Sequence, residues 1–118
     1  LARKKGVRIA TGTDAAYGAD PLGKELKLMV DAGLSPGQAI EVSTKSAAEA
    51  MRMDDLVGTL EPGKEADLLV VDGDPLADIE VLTKVEKLSL VMQAGKPCSG
   101  PMATQFQLEI PTYPRYFI

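Results

Sequence analysis

The sequence predicts an α/β fold with a helical first half and a strand-rich second half. Two serine-led helix-start signals occur before residue 50, and apolar runs of strand length follow after residue 65. The character changes near residues 53–57, which is where we expect a boundary. The chain then divides into residues 1–55 with a strand and helices, residues 56–100 with strands, and an aromatic tail at 101–118.

The first predicted element is a short buried strand over Val7–Thr11. This run is apolar and β-branched and lies between two glycines, a pattern more typical of a strand than of a helix. Asp14 then follows just beyond the carboxyl end of the strand. Next, residues 24–32 place apolar side chains on one helical face, and Gly33 is a natural helix stop.

Two capping boxes predict the second and third helices. Ser35 and Gln38 can exchange hydrogen bonds at the start of a helix from Pro36 to about Val42, with proline at the first helical position. The pair Ser46 and Glu49 has the same spacing, and it predicts a third short helix that runs to about Arg52.

Turn chemistry and apolar runs alternate in the second half. Pro62-Gly63 suits the centre of a type II turn. The remaining elements are a buried strand at 66–71, a turn at 72–75, a helical turn within 76–82, and a strand at 88–93 that leads into a hairpin tip at 94–97.

Composition and charge limit the classes of function that this protein can have. The 118 residues match one domain, and 45% apolar content is enough for a core. The net charge is −4 and the lysines are scattered, so we expect no nucleic-acid partner. No apolar run approaches the roughly 20 residues of a membrane span, so we expect no membrane association. Cys98 has no partner for a disulfide, which favours the cytoplasm. The chain begins at Leu1, so an upstream signal peptide stays open.

The tail is rich in aromatic residues, which are Phe106, Tyr113, Tyr116 and Phe117. One interpretation is an extended arm whose rings cover a hydrophobic edge. The other is a contact in a homo-oligomer, because clustered aromatic side chains are favoured in interfaces.

Asp14 is the leading candidate for chemistry, with Thr13 and Tyr17 as candidates for lining a substrate pocket. A carboxylate after a strand can bind a metal or move a proton, but it can equally form an Asx turn. Thr13 can likewise bond its own backbone. The chain has no histidine, so a complete site needs partners from elsewhere. Four other aspartates are attributed to turns and carry no predicted chemistry; these are Asp67, Asp72, Asp74 and Asp78.

Three strings resemble the amidohydrolase superfamily, in particular its imidazolonepropionase-like and prolidase-like branch. The first is Gly12-Thr13-Asp14-Ala15, followed by the helical segment 25–40. The second is the Gly58-Thr-Leu-Glu-Pro-Gly-Lys-Glu-Ala-Asp67 string, and the third is residues 91–96. The similarity covers about residues 5–98, and the order of the strings along the chain makes it specific.

The resemblance implies the last strand and following helices of a TIM-type barrel, plus part of a small β-sandwich. It implies a metal-dependent hydrolase that acts on amide-type C–N bonds of a small molecule such as a dipeptide, an N-acyl amino acid or a cyclic amide. Asp14 matches the aspartate after the eighth strand, which in this family binds a divalent metal, commonly zinc, and takes a proton from the bound water.

The other metal ligands of that family lie in segments that this sequence lacks. The chain is therefore expected to be a C-terminal fragment of a longer enzyme and inactive alone, or a degenerate remnant. The alternatives are a non-catalytic accessory module that stabilises a partner, and a metal-dependent deaminase. Two departures stand out: Met51-Arg52 replaces a common Leu-Gly, and Ala19-Asp20-Pro21 replaces a His-Gly loop, which leaves the substrate open.

Overall fold

The computed structural model describes residues 2–13 and 22–106, and it confirms an α/β chain with helices before strands. Three helices lead, and a three-stranded antiparallel sheet of order β1-β2-β3 follows. The bounds are α1 (Leu22–Asp31), α2 (Pro36–Ser43), α3 (Lys45–Met51), β1 (Leu68–Val71), β2 (Leu88–Gln93) and β3 (Lys96–Ser99), with 3-10 turns at Arg3–Lys5, Ile79–Thr83, Val85–Lys87 and Ala103–Phe106.

Helix α1 ends at Asp31, and Gly33 provides the helix stop that the sequence predicts. The Gly33 N–H donates to the Val30 carbonyl at 2.9 Å, and the Leu34 N–H donates to the Met29 carbonyl at 3.1 Å. Gly33 has φ 103°, the left-handed conformation that lets the chain close this Schellman-type end without a steric cost.

The first capping box is also confirmed. The Gln38 N–H donates to Ser35 Oγ at 3.2 Å, and the Ser35 N–H donates to Gln38 Oε1 at 3.0 Å. Pro36 occupies the start of α2, where its missing N–H costs nothing. The start of this helix is thus determined by four consecutive residues.

The second capping box is wrong. Helix α3 begins at Lys45 with Thr44 as its N-cap, so Ser46 lies inside the helix. The Thr44 hydroxyl donates back to the Ile40 carbonyl at 2.8 Å and makes no cap bond to α3. The reason is that α2 and α3 nearly run together, so the chain is already helical before it reaches Ser46.

Local turn signals in the second half are confirmed. The Lys64 N–H donates to the Glu61 carbonyl at 3.2 Å, and Gly63 has φ 93°, as a type II turn requires. Ala94 and Gly95 join β2 to β3 with φ 47° and 76°. Two positive φ values in a two-residue loop define a type I′ hairpin, whose twist matches that of the strands.

The core lies between α1, α2 and the 3-10 turn at Ile79–Thr83. Leu26, Ala39 and Ile79 form its buried centre, and partly buried apolar side chains surround it, which are Leu22, Met29, Val30, Ile40 and Leu82. Gly23 is buried where α1 approaches the backbone of Leu82. The first turn of α1 is thereby held against the 79–83 segment.

Two expectations about strands are corrected. Val7–Thr11 is not in a strand, and Val7 is exposed. A strand is stable only when another strand bonds to it, and within residues 2–13 and 22–106 none pairs with this segment. Strand β1 is present but is not buried, since Leu69 is 53% and Val70 38% exposed. No described element packs over these two side chains closely enough to bury them.

Candidate functional site

The structure describes only one of the three predicted site residues. Thr13 is exposed and outside regular secondary structure. Asp14 and Tyr17 lie outside the described residues, so their roles stay predictions. The candidate site is therefore described from the residues that surround the segment leading to Thr13.

A hydrogen bond joins the segment before Thr13 to helix α1. The Gly12 N–H donates to Glu25 Oε1 at 2.8 Å, although the two residues are 13 apart in sequence. Glu25 lies in the first turn of α1, where a carboxylate is favoured by the helix dipole. Its other oxygen, Oε2, is buried and has no hydrogen-bond partner among the described residues.

Glu25 was missed by the sequence reasoning, which noted it only as the first residue of a family-like string. The available signal was weak: a single acidic residue in the first turn of a helix, which ordinarily indicates dipole compensation. Its partner is a backbone N–H, and backbone groups carry no sequence signature. Only the tertiary structure could therefore reveal the bond.

The N-terminal segment also lies beside α3. Arg8, Ile9 and Ala10 face Ser46 and Glu49 across a shallow groove. Residues 6–9 extend the same surface toward α2. The groove is open to solvent and does not enclose a ligand-sized space, so by itself it does not resemble a ligand pocket.

No metal centre forms within the described part of the chain. No group of three or more histidine, cysteine, aspartate or glutamate residues converges there. The described residues alone therefore do not fit a divalent metal, and any such site needs donors beyond them.

Of the four aspartates that were attributed to turns, Asp74 and Asp78 have that role, whereas Asp67 and Asp72 contact residues far away in sequence. Asp67 Oδ1 accepts from the Ala94 N–H at 2.7 Å, and Asp74 and Asp78 each accept from the N–H two residues later at 2.9 Å. Asp72 instead pairs with Lys87 at 2.7 Å. This hydrogen bond raises the pKa of Lys87 above its ordinary value of 10.5. All four carboxylates thus have protein partners, which lie two residues away for Asp74 and Asp78, 27 away for Asp67 and 15 away for Asp72.

Comparison with known proteins identifies the family. The family model described as the amidohydrolase family matches residues 1–98. The chain belongs to the amidohydrolase family. This confirms the resemblance drawn from the Gly12–Ala15 and Gly58–Asp67 strings.

Sequence relatives carry several amidohydrolase activities in their names. Ochratoxinase of Aspergillus niger is 37% identical over 100 residues, or 83% of this chain and 21% of that protein. Adenine deaminase 1 of Latilactobacillus sakei subsp. sakei is 33% identical over 89 residues, or 75% and 14%. Imidazolonepropionase of Geobacillus kaustophilus is 33% identical over 96 residues, or 77% and 22%. The chain thus spans at most about a fifth of these relatives.

Solved structures give the same result. The crystal structure of A. niger ochratoxinase matches with a TM-score of 0.77 at 37% identity, covering 85% of this chain and 23% of that one. A Xaa-Pro dipeptidase with methionine bound in its active site matches with a TM-score of 0.74 at 38% identity, covering 84% and 24%. This amidohydrolase chain has the fold of about a quarter of each. None of the helices in its described part is both long and apolar enough to cross a membrane.

Proposed function

We propose that this chain is the C-terminal part of a metal-dependent amidohydrolase that hydrolyses an amide-type C–N bond of a small molecule. The substrate class is a dipeptide, an N-acyl amino acid or a cyclic amide. The observation that carries the proposal is the family match over residues 1–98, which includes both the Asp14 segment and the Gly58–Asp67 string. The Xaa-Pro dipeptidase structure supports the dipeptide class.

In this proposal the chain contributes the last strand and helices of a TIM-type barrel and part of a β-sandwich. Exposed apolar side chains support further protein around it, since Leu60 is 75% exposed and Leu56 and Leu69 are each 53% exposed. Several large apolar side chains in one small structure are more than scattered surface residues require. We propose a cytoplasmic protein, with no nucleic-acid or membrane partner, that can assemble as a homo-oligomer.

The proposed chemistry assigns Asp14 two roles, a metal ligand and a carrier of the proton that passes from water to the leaving amine. A divalent metal, zinc in this proposal, would supply Lewis-acid activation when bound. The remaining ligands come from other segments of the longer protein, so the 118 residues alone are expected to be inactive. Thr13 and Tyr17 are proposed to line the substrate pocket.

The test compares two aspartate variants of the full-length protein. Asp14→Asn keeps the size of the side chain but removes its charge, and we expect hydrolysis of a Xaa-Pro dipeptide, an N-acyl amino acid or a lactam to fall by about 100-fold or more. Asp54→Asn is the matched control, because Asp54 is exposed in the turn after α3, and it should keep the wild-type rate. Wild-type turnover by Asp14→Asn would refute the role of Asp14.

Two other outcomes would support the alternative functions. Release of ammonia from adenine, with no cleavage of the amide substrates, would favour a deaminase, for which the similarity to adenine deaminase 1 is the specific observation. Absence of both bound metal and turnover in the full-length protein would favour a non-catalytic accessory module. Bound metal is measured by elemental analysis of the purified protein.

A further inference from the structure

The Glu25 side chain closes a loop whose two ends are far apart in sequence. Its Oε1 accepts the Gly12 N–H at 2.8 Å across a separation of 13 residues. A hydrogen bond from a backbone N–H to a carboxylate is stronger than one between two neutral groups. The bond therefore restrains the segment that leads directly into Thr13 and Asp14.

Helix α1 provides a rigid support for this carboxylate. Glu25 lies between Gly23 and Leu26, both of which are buried. A Cβ atom on Gly23 would lie 2.1 Å from the Leu82 carbonyl oxygen, so the two backbones are in direct contact. On the same helix, Lys27 pairs with Glu80 at 3.8 Å. Because α1 is held at these points, the position of Glu25 is determined by the core.

The second carboxylate oxygen makes this arrangement costly. Glu25 Oε2 is buried and has no hydrogen-bond partner among the described residues, and a buried polar atom without a partner lowers stability. This cost opposes the gain from the Gly12 bond. The contact is therefore a poor source of net stability, and its remaining consequence is geometric.

We propose that Glu25 is a positioning residue that restrains the backbone at Gly12, from which the chain continues through Thr13 to Asp14. This inference rests on the proposed function of Asp14. Asp14 follows Gly12 by two residues, so fixing the Gly12 amide limits by covalent geometry where the carboxylate can go. A ligand or proton carrier that is misplaced by about 1 Å can lose on the order of 100-fold in rate.

The first test measures the contact without any assay of activity. Hydrogen–deuterium exchange of the peptide that contains Gly12 is recorded in the full-length protein and in Glu25→Ala. We expect the Gly12 amide to exchange at least tenfold faster in the variant, because its acceptor is gone. Glu65→Ala is the control, since Glu65 is an exposed glutamate that does not line the groove beside the N-terminal segment, and its Gly12 exchange should match the wild type. Equal exchange in all three proteins would overturn the inference.

The second test separates positioning from a merely structural role. Glu25→Ala should lower kcat by about 10- to 100-fold. Glu25→Gln should keep kcat within about threefold of the wild type, because its amide oxygen can still accept the Gly12 N–H. A structural role alone would lower the unfolding temperature of Glu25→Ala while the folded variant kept the wild-type kcat, and that result would overturn the inference.

The two proposals fail in different ways. If Asp14→Asn is inactive while Glu25→Ala has wild-type kcat, only the positioning role is refuted. If Asp14→Asn has wild-type activity, the proposed function of Asp14 fails, and the positioning role fails with it.

Discussion

Gly23→Ala gives the sharpest test of how α1 is held in place. Gly23 is the second residue of α1, and a Cβ built there would lie 2.1 Å from the Leu82 carbonyl oxygen, 2.5 Å from its carbon and 2.9 Å from the Thr83 nitrogen. All three are backbone atoms, so none can rotate away. The helix must separate from the 79–83 segment to admit a single methyl group.

Two opposing effects decide whether Gly23→Ala raises or lowers the free energy of unfolding. Alanine is a better helix former than glycine by about 1 kcal/mol at most. Overpacking a tight contact typically costs about 1–3 kcal/mol, and three backbone clashes place this site at the upper end. We therefore expect a net loss of about 2 kcal/mol. At roughly 3 °C per kcal/mol, the unfolding temperature should fall by about 6 °C.

Gly37→Ala is the matched control. Gly37 is also the second residue of its helix, α2, but a Cβ there would meet only the Leu76 Cδ2 atom at an ordinary 3.6 Å. This variant should be neutral or stabilised by up to about 1 kcal/mol. The assay is thermal unfolding followed by circular dichroism. The reasoning is refuted if Gly23→Ala melts at or above the wild-type temperature.

Two further predictions concern the end of α3 and the Asp72–Lys87 ion pair. Arg52 is the C-cap of α3 and has φ 58°, a left-handed conformation that is unfavourable for residues with a side chain. Arg52→Gly should therefore stabilise the protein by about 0.5–1 kcal/mol. The measurement is a urea titration, and a lower unfolding midpoint would contradict the prediction. The Lys87 pKa is raised above 10.5 by its hydrogen bond to Asp72, so the stabilisation is present below that pH and is lost as pH rises through the higher folded-state pKa. Asp72→Asn should therefore melt below the wild type at about pH 9 and equal to it once Lys87 is deprotonated in both, whereas a difference that persists at high pH would exclude the ion pair as its cause.

Local hydrogen-bonding patterns made much of the fold predictable. The Ser35–Gln38 capping box, the Gly33 helix stop and the Pro62-Gly63 turn each involve residues within five positions of one another. The side chain or the φ preference that forms such a motif is visible in the sequence itself. The hairpin tip was predicted at 94–97 for the same reason, and in the structure its loop is Ala94 and Gly95, with Lys96 already in β3.

The predictions that were wrong concern features that depend on contacts with distant parts of the chain. Val7–Thr11 has a strand-like composition, but composition does not supply the neighbouring strand that a β-structure needs. Ser46 and Glu49 have the spacing of a capping box. However, α2 ends at Ser43 and α3 already begins at Lys45, so Ser46 lies inside α3. The apolar side chains of β1 were expected to be buried, and their exposure depends on what packs over the sheet.

By itself, the sequence determined the family, the three helices that precede the strands of the second half, and the choice of Asp14 as the residue to test, because these depend on residue types at short spacings. Only the tertiary structure decided that Glu25 bonds the Gly12 amide and that Gly23 contacts the Leu82 backbone. Both contacts join a side chain or a glycine to backbone atoms, which are the same in every residue. The partners in both contacts are therefore determined by how the chain folds, and no residue pattern predicts them.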